Sequence, residues 1–243
     1  MRLIFIVIEA CDYQIVMNAN MPNLQSLDPH PATAFGIASR PSTAAIVGGV
    51  IPVCNIAGCH HREIKQKLNS PFFLSAMSQI TEKQLYLCPN GWSLEILLPW
   101  MSREQRELNF KWHDSHQQLP AKEETDYFLK ERKKYDSYFA YIHYFESHAP
   151  FYSPKGIGDP EASLAFIDEQ IGRILNECSG DSFILAMSDH GRPPKPEEGA
   201  VFSLPSPKTM LSFIASNFTA GQLKSWSELG VSPHSIARRR WLK

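Results

Sequence analysis

Three short apolar runs, separated by longer connections, constrain the fold of this 243-residue chain most strongly. Residues 3–8, 138–145 and 182–187 are rich in β-branched and aromatic side chains and end in polar residues, which is typical of buried strands; residues 211–215 form a weaker fourth run. Between the second and third runs, a helix of about 17 residues is predicted after Asp159, because apolar residues recur there at helical spacing. A strand, a helix and a further strand form a βαβ unit, which predicts an α/β fold with a mainly parallel sheet.

Composition excludes several classes of protein. With 24 Lys and Arg residues against 25 Asp and Glu residues, the net charge of −1 gives no general attraction to nucleic acid or to an anionic membrane. No run of about 20 apolar residues is present, so no membrane span is predicted. Five cysteines at irregular spacing do not indicate a disulfide framework, which favours a reducing, cytoplasmic location. We predict a single domain over residues 1–243, within which residues 54–135 have no clear pattern.

Polar residues follow the predicted strands where sites form in open α/β sheets, at the carboxyl ends of the strands. Glu9 follows the first strand, and Asp189 and His190 follow the third. Carboxylate and imidazole groups are ligands of Zn or Mn, and a turn after a strand aims neighbouring side chains at one point. Two alternatives stay open: Glu9 as a surface or capping acid, and the Asp189–His190 pair as a cap for backbone amides.

Small hydroxyl residues open a helix predicted from Ser39 to the glycines at 48 and 49. A hydroxyl at a helix N-terminus can be aimed at an anion whose charge the helix dipole stabilises. A metal bound to that hydroxyl would lower its pKa and make it a nucleophile. Simple N-capping by Ser39 or Ser42 is the alternative.

Two histidines near the second strand have different predicted roles. His148, after the strand, is a candidate proton donor to a leaving oxygen or a contact for a substrate anion. His143, inside the strand, is predicted to pack there, and core packing is also predicted for Trp92.

In their order along the chain, five segments resemble the alkaline phosphatase superfamily, in particular its sulfatase and lipoteichoic-acid-synthase-like branch. Residues 39–43, Ser-Arg-Pro-Ser-Thr, lead to two glycines at the spacing of the sulfatase nucleophile motif, and residues 188–191, Ser-Asp-His-Gly, are similar to a metal motif of the superfamily. Residues 146–150 look like its Asp-x-His-x-Pro motif. Residues 21–27 look like its Pro-Asn-Leu stretch, and residues 167–175 resemble the helix before the last metal motif.

The resemblance implies an alkaline-phosphatase-like three-layer α/β/α sandwich in a minimal, single-domain version. It makes Glu9, Ser39, Asp189 and His190 the ligands of one divalent metal ion, Zn or Mn, with Mg or Ca as alternatives. Ser39 becomes the nucleophile, and His148 the contact for the substrate anion or the acid for the leaving group.

The expected function is that of a metal-dependent hydrolase or transferase acting on a phosphate or sulfate ester of a small molecule, a glycan or a lipid headgroup. Phosphate is preferred because Glu9 is similar to the first-strand acid of the lipoteichoic acid synthases, and because Thr43 stands where a formylglycine sulfatase has Arg. The rival hypothesis is a catalytically degenerate member of the superfamily that binds an anion, a glycan or a protein partner without turnover.

Overall fold

A six-stranded sheet organises the computed structural model, which describes residues 1–34, 39–48, 72–114, 120–148, 150–191 and 211–217. Its strand order is β2-β8-β7-β1-β4-β3. The strands, with a separate hairpin of β5 and β6, are β1 (Arg2–Ile8), β2 (His30–Thr33), β3 (Lys83–Leu87), β4 (Tyr138–Tyr144), β5 (Tyr152–Ser153), β6 (Gly156–Ile157), β7 (Phe183–Ser188) and β8 (Leu211–Ser216).

All four strands predicted from the apolar runs are confirmed, as β1, β4, β7 and β8. β1 lies between β4 and β7 and is parallel to both, β3 is parallel to β4, and β8 and β2 complete the sheet in antiparallel pairings. The sheet is therefore mainly parallel, as predicted. β2 has no apolar pattern because three of its four residues are exposed and one is Pro31, which is tolerated at a sheet edge.

Eight α-helices are present in the described residues: α1 (Tyr13–Asn18), α2 (Pro22–Gln25), α3 (Ser39–Gly48), α4 (Phe72–Ile80), α5 (Gly91–Leu97), α6 (Arg103–Asp114), α7 (Pro120–Glu131) and α8 (Pro160–Cys178). The helix predicted from Ser39 is confirmed as α3 up to Gly48, where the described residues end, and the helix predicted after Asp159 is confirmed as α8. The Asp159 side chain accepts a hydrogen bond from Ala162 N to cap α8. None of the described helices has the length and apolar character that a membrane crossing requires.

Alternation along the central strand divides the core into two layers. Ile4, Ile6 and Ile8 of β1 pack beneath α1, α2, α7 and α8. Leu3, Phe5 and Val7 point to the opposite face and pack beneath α3, α4 and α5. Since side chains of a strand alternate between the faces of a sheet, one apolar run supplies both layers. The predicted three-layer α/β/α sandwich is confirmed.

The charge-rich run at 122–134, inside the segment without a clear sequence pattern, is helical over α7 and a following 3-10 turn, Arg132–Lys134. It is not fully solvated, because Phe128 and the carboxyl of Glu124 are completely buried. The helical spacing places these side chains on the face that packs against the sheet. A buried glutamate in a charge-rich run cannot be recognised from composition.

Two of the segments that carry the family resemblance contact each other away from the strand ends. The Asp168 carboxylate of α8 accepts hydrogen bonds from Asn23 N, from Asn23 Nδ2 and from Leu24 N, over 2.8–3.1 Å. These bonds satisfy free N–H groups at the start of α2, where a carboxylate is favourable. One turn further along α8, a Cβ at Gly172 would lie 2.7 Å from the Asn23 side chain. The contact holds α2 to α8 and has a structural role.

Gly172→Ala is expected to lower the free energy of unfolding by about 1–2 kcal/mol, although alanine normally stabilises a helix interior relative to glycine. The reason is that Asn23 Nδ2 donates to the backbone carbonyl oxygen and to the carboxylate of Asp168, so the Asn23 side chain cannot move aside without losing hydrogen bonds. Urea denaturation checks this, with Gly180→Ala as the control, since a Cβ at Gly180 meets nothing within 4 Å. Equal stability of the two variants would contradict the proposed clash.

Candidate metal centre

Residues from three separate segments meet at the carboxyl ends of β1 and β7. Glu9 directly follows β1, Asp189 and His190 directly follow β7, and Ser39 is the first residue of α3, which packs over β1. The Ser39 hydroxyl donates a hydrogen bond to Glu9 Oε1, and its Oγ lies 3.5 Å from His190 Nε2. All four side chains are buried. The structure therefore brings together the four predicted metal ligands.

The proton on His190 can be placed from its neighbours. Its Nδ1 lies 2.7 Å from the carbonyl oxygen of Gly191, which only accepts hydrogen bonds, so Nδ1 carries a hydrogen. Its Nε2 lies 3.2 Å from Glu9 Oε1 and 3.6 Å from Asp189 Oδ2. A bare imidazole nitrogen and two carboxylates would repel one another. A positive charge must therefore lie between the nitrogen and the carboxylate oxygens, either a proton on Nε2 or a metal ion.

A second imidazole approaches the same carboxylates. His143 Nε2 lies 2.9 Å from Glu9 Oε2 and 4.0 Å from Asp189 Oδ2. Within the described part of the chain, the fully buried Asp189 Oδ2 has no hydrogen-bond partner, and the contact of the buried His143 Nε2 with Glu9 Oε2 lacks the alignment of a good hydrogen bond. Asp189 Oδ1, by contrast, accepts from Ala10 N and His190 N. One carboxylate oxygen of Asp189 is thus held by the backbone while the other points into the cluster.

The donor set fits a divalent cation. The ligand atoms of Glu9, His143 and Asp189 all lie within 4.8 Å of one another. Atoms that each bond one Zn ion at about 2.0–2.1 Å are separated by roughly 3–4 Å, close to the distances found here. Buried polar atoms without partners are rare, and a bound ion would satisfy both of them.

Charge coupling shifts the pKa of each ionisable group in the cluster. Burial raises the pKa of Glu9, but the imidazoles of His143 and His190 outweigh burial and hold it well below its usual value. Burial and the charge of Glu9 raise the pKa of Asp189 to about 6. Burial lowers the pKa of His190, yet the charges of Asp189 and Glu9 together raise it to about 9. Without a metal ion, the cluster therefore retains protons, and a cation must displace them.

Sequence reasoning missed two members of this site. His143 lies buried in β4 as predicted, but its side chain also reaches Glu9. The register pairs Val7 with His143, so that Glu9 and His143 extend from the same face of neighbouring strands. Asn90, after β3, donates from Nδ2 to Glu9 Oε2 over 2.5 Å. Alternation in β4 was the available signal for His143, whereas nothing in the sequence indicated Asn90.

The segment 146–150 is divided between two roles. Glu146 Oε1 accepts a hydrogen bond from Ala121 N at the start of α7, while Ser147 Oγ donates to the carbonyl oxygen of Glu9. The His148 ring stacks on Phe145, with ring centroids 5.0 Å apart. The catalytic role of His148 stays a prediction. The prediction that Trp92 packs in the core is wrong, because this residue is 63% exposed.

Glu146→Gln is expected to raise the free energy of unfolding by up to about 3 kcal/mol at pH 8 and to change it little at pH 4.5. Burial raises the pKa of Glu146 from 4.5 to about 7, so folding favours the neutral carboxyl. The stability that this carboxyl contributes is present below pH 4.5 and is lost as the pH rises through about 7, whereas glutamine never ionises. Denaturation at both pH values checks this, and equal effects at pH 4.5 and pH 8 would contradict it.

No protein-family model matches the sequence, and no curated protein matches it. Solved structures do match: EcEptC from Escherichia coli, the C-terminal periplasmic domain in complex with Zn, is 13% identical with a TM-score of 0.58. Lipoteichoic acid synthase LtaP from Listeria monocytogenes is 12% identical (TM-score 0.54). A protein in the alkaline phosphatase superfamily from Vibrio parahaemolyticus is 13% identical (TM-score 0.53). The matches cover 92%, 88% and 88% of this chain respectively.

These similarities establish that the fold is that of the alkaline phosphatase superfamily, as the sequence motifs predicted. The matches span 74% of the EcEptC chain but only 65% of LtaP and 59% of the Vibrio protein. Identities this low carry no activity over to this chain. The predicted cytoplasmic location gains no support, because the similar EptC structures are periplasmic domains.

Proposed function

We propose that the chain is a metal-dependent hydrolase or transferase of the alkaline phosphatase superfamily that cleaves a phosphate ester with Ser39 as the nucleophile. The observation that carries the proposal is the position of the Ser39 hydroxyl. It lies at the N-terminus of the ten-residue helix α3 and contacts both Glu9 and His190. A helix N-terminus stabilises the negative charge of a substrate anion at the place where a nucleophile must attack.

Glu9, Asp189 and His190 would hold the metal ion, with Ser39 beside them and His143 adding a donor from the other side of Glu9. Two carboxylates and two imidazoles favour Zn or Mn over Mg or Ca, which prefer oxygen ligands alone. A bound divalent ion supplies positive charge that polarises the ester and lowers the pKa of the Ser39 hydroxyl.

The protein's own groups determine where the protons go. The Ser39 hydroxyl already donates to Glu9 Oε1, so the serine proton would leave along this hydrogen bond as Ser39 Oγ attacks phosphorus. The new Oγ–P bond forms as the bond from phosphorus to the leaving oxygen breaks in line with it, giving a phosphoseryl group. His148 is the proposed proton donor to the leaving oxygen. Attack on phosphorus by water or an acceptor alcohol then releases the phosphoryl group and restores Ser39.

Phosphate is preferred over sulfate on the evidence of Thr43. Its Oγ1 donates to Ser93 Oγ over 2.8 Å, and Tyr141 Oη lies 3.5 Å away, all within a buried network between α3 and α5. Thr43 therefore serves the packing of the helix that carries Ser39. The guanidinium of the formylglycine sulfatase motif has no counterpart at this position. The substrate class remains a phosphate ester of a small molecule, a glycan or a lipid headgroup.

The proposal is tested by elemental analysis of the purified protein together with hydrolysis of p-nitrophenyl phosphate, bis-p-nitrophenyl phosphate and p-nitrophenyl sulfate. About one Zn or Mn per chain, with faster turnover of a phosphate ester than of the sulfate, is expected. Metal binding without turnover of any of the three esters would favour the degenerate binding module. Absence of metal after incubation with Zn and with Mn would overturn the site.

A further inference from the structure

The thiol of Cys88 lies behind the metal centre, on the side of His143 that faces away from Glu9. Cys88 directly follows β3 and is completely buried. Its Sγ lies 3.5 Å from His143 Nδ1 and 3.7 Å from the carbonyl oxygen of Asn90. His143 Nε2, at the other end of the ring, lies 2.9 Å from Glu9 Oε2. A single imidazole thus links the thiol to the carboxylate.

The donor and the acceptor in each of the two hydrogen bonds of the Cys88 thiol follow from the chemistry of its partners. The single thiol proton points to the carbonyl oxygen of Asn90, because a carbonyl oxygen only accepts hydrogen bonds. The sulfur can then bond His143 only by accepting from an Nδ1–H group. This tautomer leaves the lone pair of Nε2 directed at Glu9 and Asp189, as a metal ligand requires.

The turn that carries the thiol is held in place from outside. Asn109 Oδ1 accepts from Cys88 N over 2.5 Å, and Asn109 Nδ2 donates to the carbonyl oxygen of Tyr86. His113 Nδ1 lies 2.9 Å from the carbonyl oxygen of Pro89. The ring of His113 packs so closely that a Cβ at Gly91 would lie 2.8 Å from it. These contacts fix the backbone of residues 88–91.

Asn90 uses the same turn to orient the carboxylate. Its Oδ1 accepts hydrogen bonds from Trp92 N and Ser93 N at the start of α5, so its Nδ2 must face Glu9 Oε2. One short turn therefore holds both groups that meet at Glu9 Oε2, the carboxylate through Asn90 and the imidazole through Cys88.

We propose that Cys88 is a positioning residue of the metal centre: its sulfur accepts a hydrogen bond from His143 Nδ1–H and so presents His143 Nε2 to the metal ion. This inference rests on the proposed function, because it requires a metal ion at Glu9, His143 and Asp189. It adds a residue that touches neither metal nor substrate. Loss of a comparable outer partner of a metal-bound histidine in other sites lowers metal affinity about 10–100-fold.

The test is Zn affinity, measured by competition with a chromophoric chelator, in wild type, Cys88→Val and Cys88→Ser. Valine fills the space without accepting a hydrogen bond, so a 10–100-fold weaker affinity is expected. Serine retains an acceptor and is expected to stay within a few-fold of wild type. Cys178→Val, at a buried thiol near the end of α8, is the matched control and is expected to bind Zn as wild type does.

Two further measurements separate positioning from a structural effect. The Co(II)-loaded Cys88→Val protein is expected to show an altered d–d absorption spectrum, because the geometry of one imidazole ligand changes. In the Zn-loaded wild type, nitrogen chemical shifts should show His143 protonated at Nδ1. This second measurement holds even if the valine variant does not fold.

The outcomes distinguish the inference from the proposed function. Wild-type Zn affinity in Cys88→Val, or a His143 protonated at Nε2 in the Zn-loaded wild type, would overturn the role of Cys88 and leave the metal centre intact. Wild-type protein that binds no Zn would overturn both.

Discussion

Replacing Ser39 with alanine is expected to lower the turnover of a phosphate ester by about 10⁴–10⁶-fold, the range found when a nucleophilic serine is removed from an enzyme. The Ser39 hydroxyl contacts both Glu9 and His190 at the start of α3. Alanine keeps the helix and removes only the attacking oxygen. The measurement is kcat with the best of the three p-nitrophenyl esters.

Ser39→Thr is the matched control, because threonine keeps a hydroxyl at the same position, and it is expected to retain measurable turnover. Metal content is measured on the same samples, so that loss of a nucleophile is distinguished from loss of the ion. Acid quenching during turnover should trap phosphoserine at Ser39 in the wild type, detectable by mass spectrometry. Undiminished turnover in Ser39→Ala would contradict the nucleophile assignment.

Asp189→Asn is expected to weaken Zn binding by more than about 100-fold while leaving the metal-free protein folded. Removing a residue that hydrogen-bonds a metal ligand lowers metal affinity about 10–100-fold, and removing a ligand itself should lower it further. The two backbone hydrogen bonds of Asp189 go to Oδ1, which asparagine keeps, and only the unpartnered Oδ2 is exchanged for an amide. Removing one of two buried carboxyl groups is also expected to preserve or raise the stability of the metal-free protein.

Asp168→Asn serves as the control, because it is expected to change stability and not Zn affinity, the reverse of Asp189→Asn. Both carboxylate oxygens of Asp168 accept hydrogen bonds from residues at the start of α2. This substitution is expected to lower the free energy of unfolding by about 1–3 kcal/mol and to leave Zn affinity unchanged. Titration with Zn and urea denaturation of both variants check the contrast. Zn affinity within a few-fold of wild type in Asp189→Asn would contradict its assignment as a ligand.

Local pattern was sufficient for the main elements of the fold. β1, β4, β7 and β8 were predictable because buried strands of a covered sheet are apolar on both faces. α8 was predictable because its apolar residues repeat with the period of a helix and Asp159 caps its start. β2 was not, since an exposed edge strand that includes a proline has no such pattern.

The same contrast applies to the site. Glu9, Asp189 and His190 were predicted to lie together because each follows a buried strand, and parallel strands end at one edge of the sheet. Cys88, Asn90 and the inward contact of His143 were not, because they depend on which strands are neighbours and in what register.

The α/β class, the strand ends that supply carboxylates and an imidazole, and the hydroxyl that opens α3 can all be predicted from local pattern, since they follow from hydrophobic period and chain direction. Three contacts become visible only in the folded chain: His143 faces Glu9, Asn90 and Cys88 hold these two side chains from behind, and Asp168 binds α2. The physical reason is that these contacts join residues from 55 to 145 positions apart, through strand register and helix packing. No local pattern in a single sequence encodes strand register or helix packing.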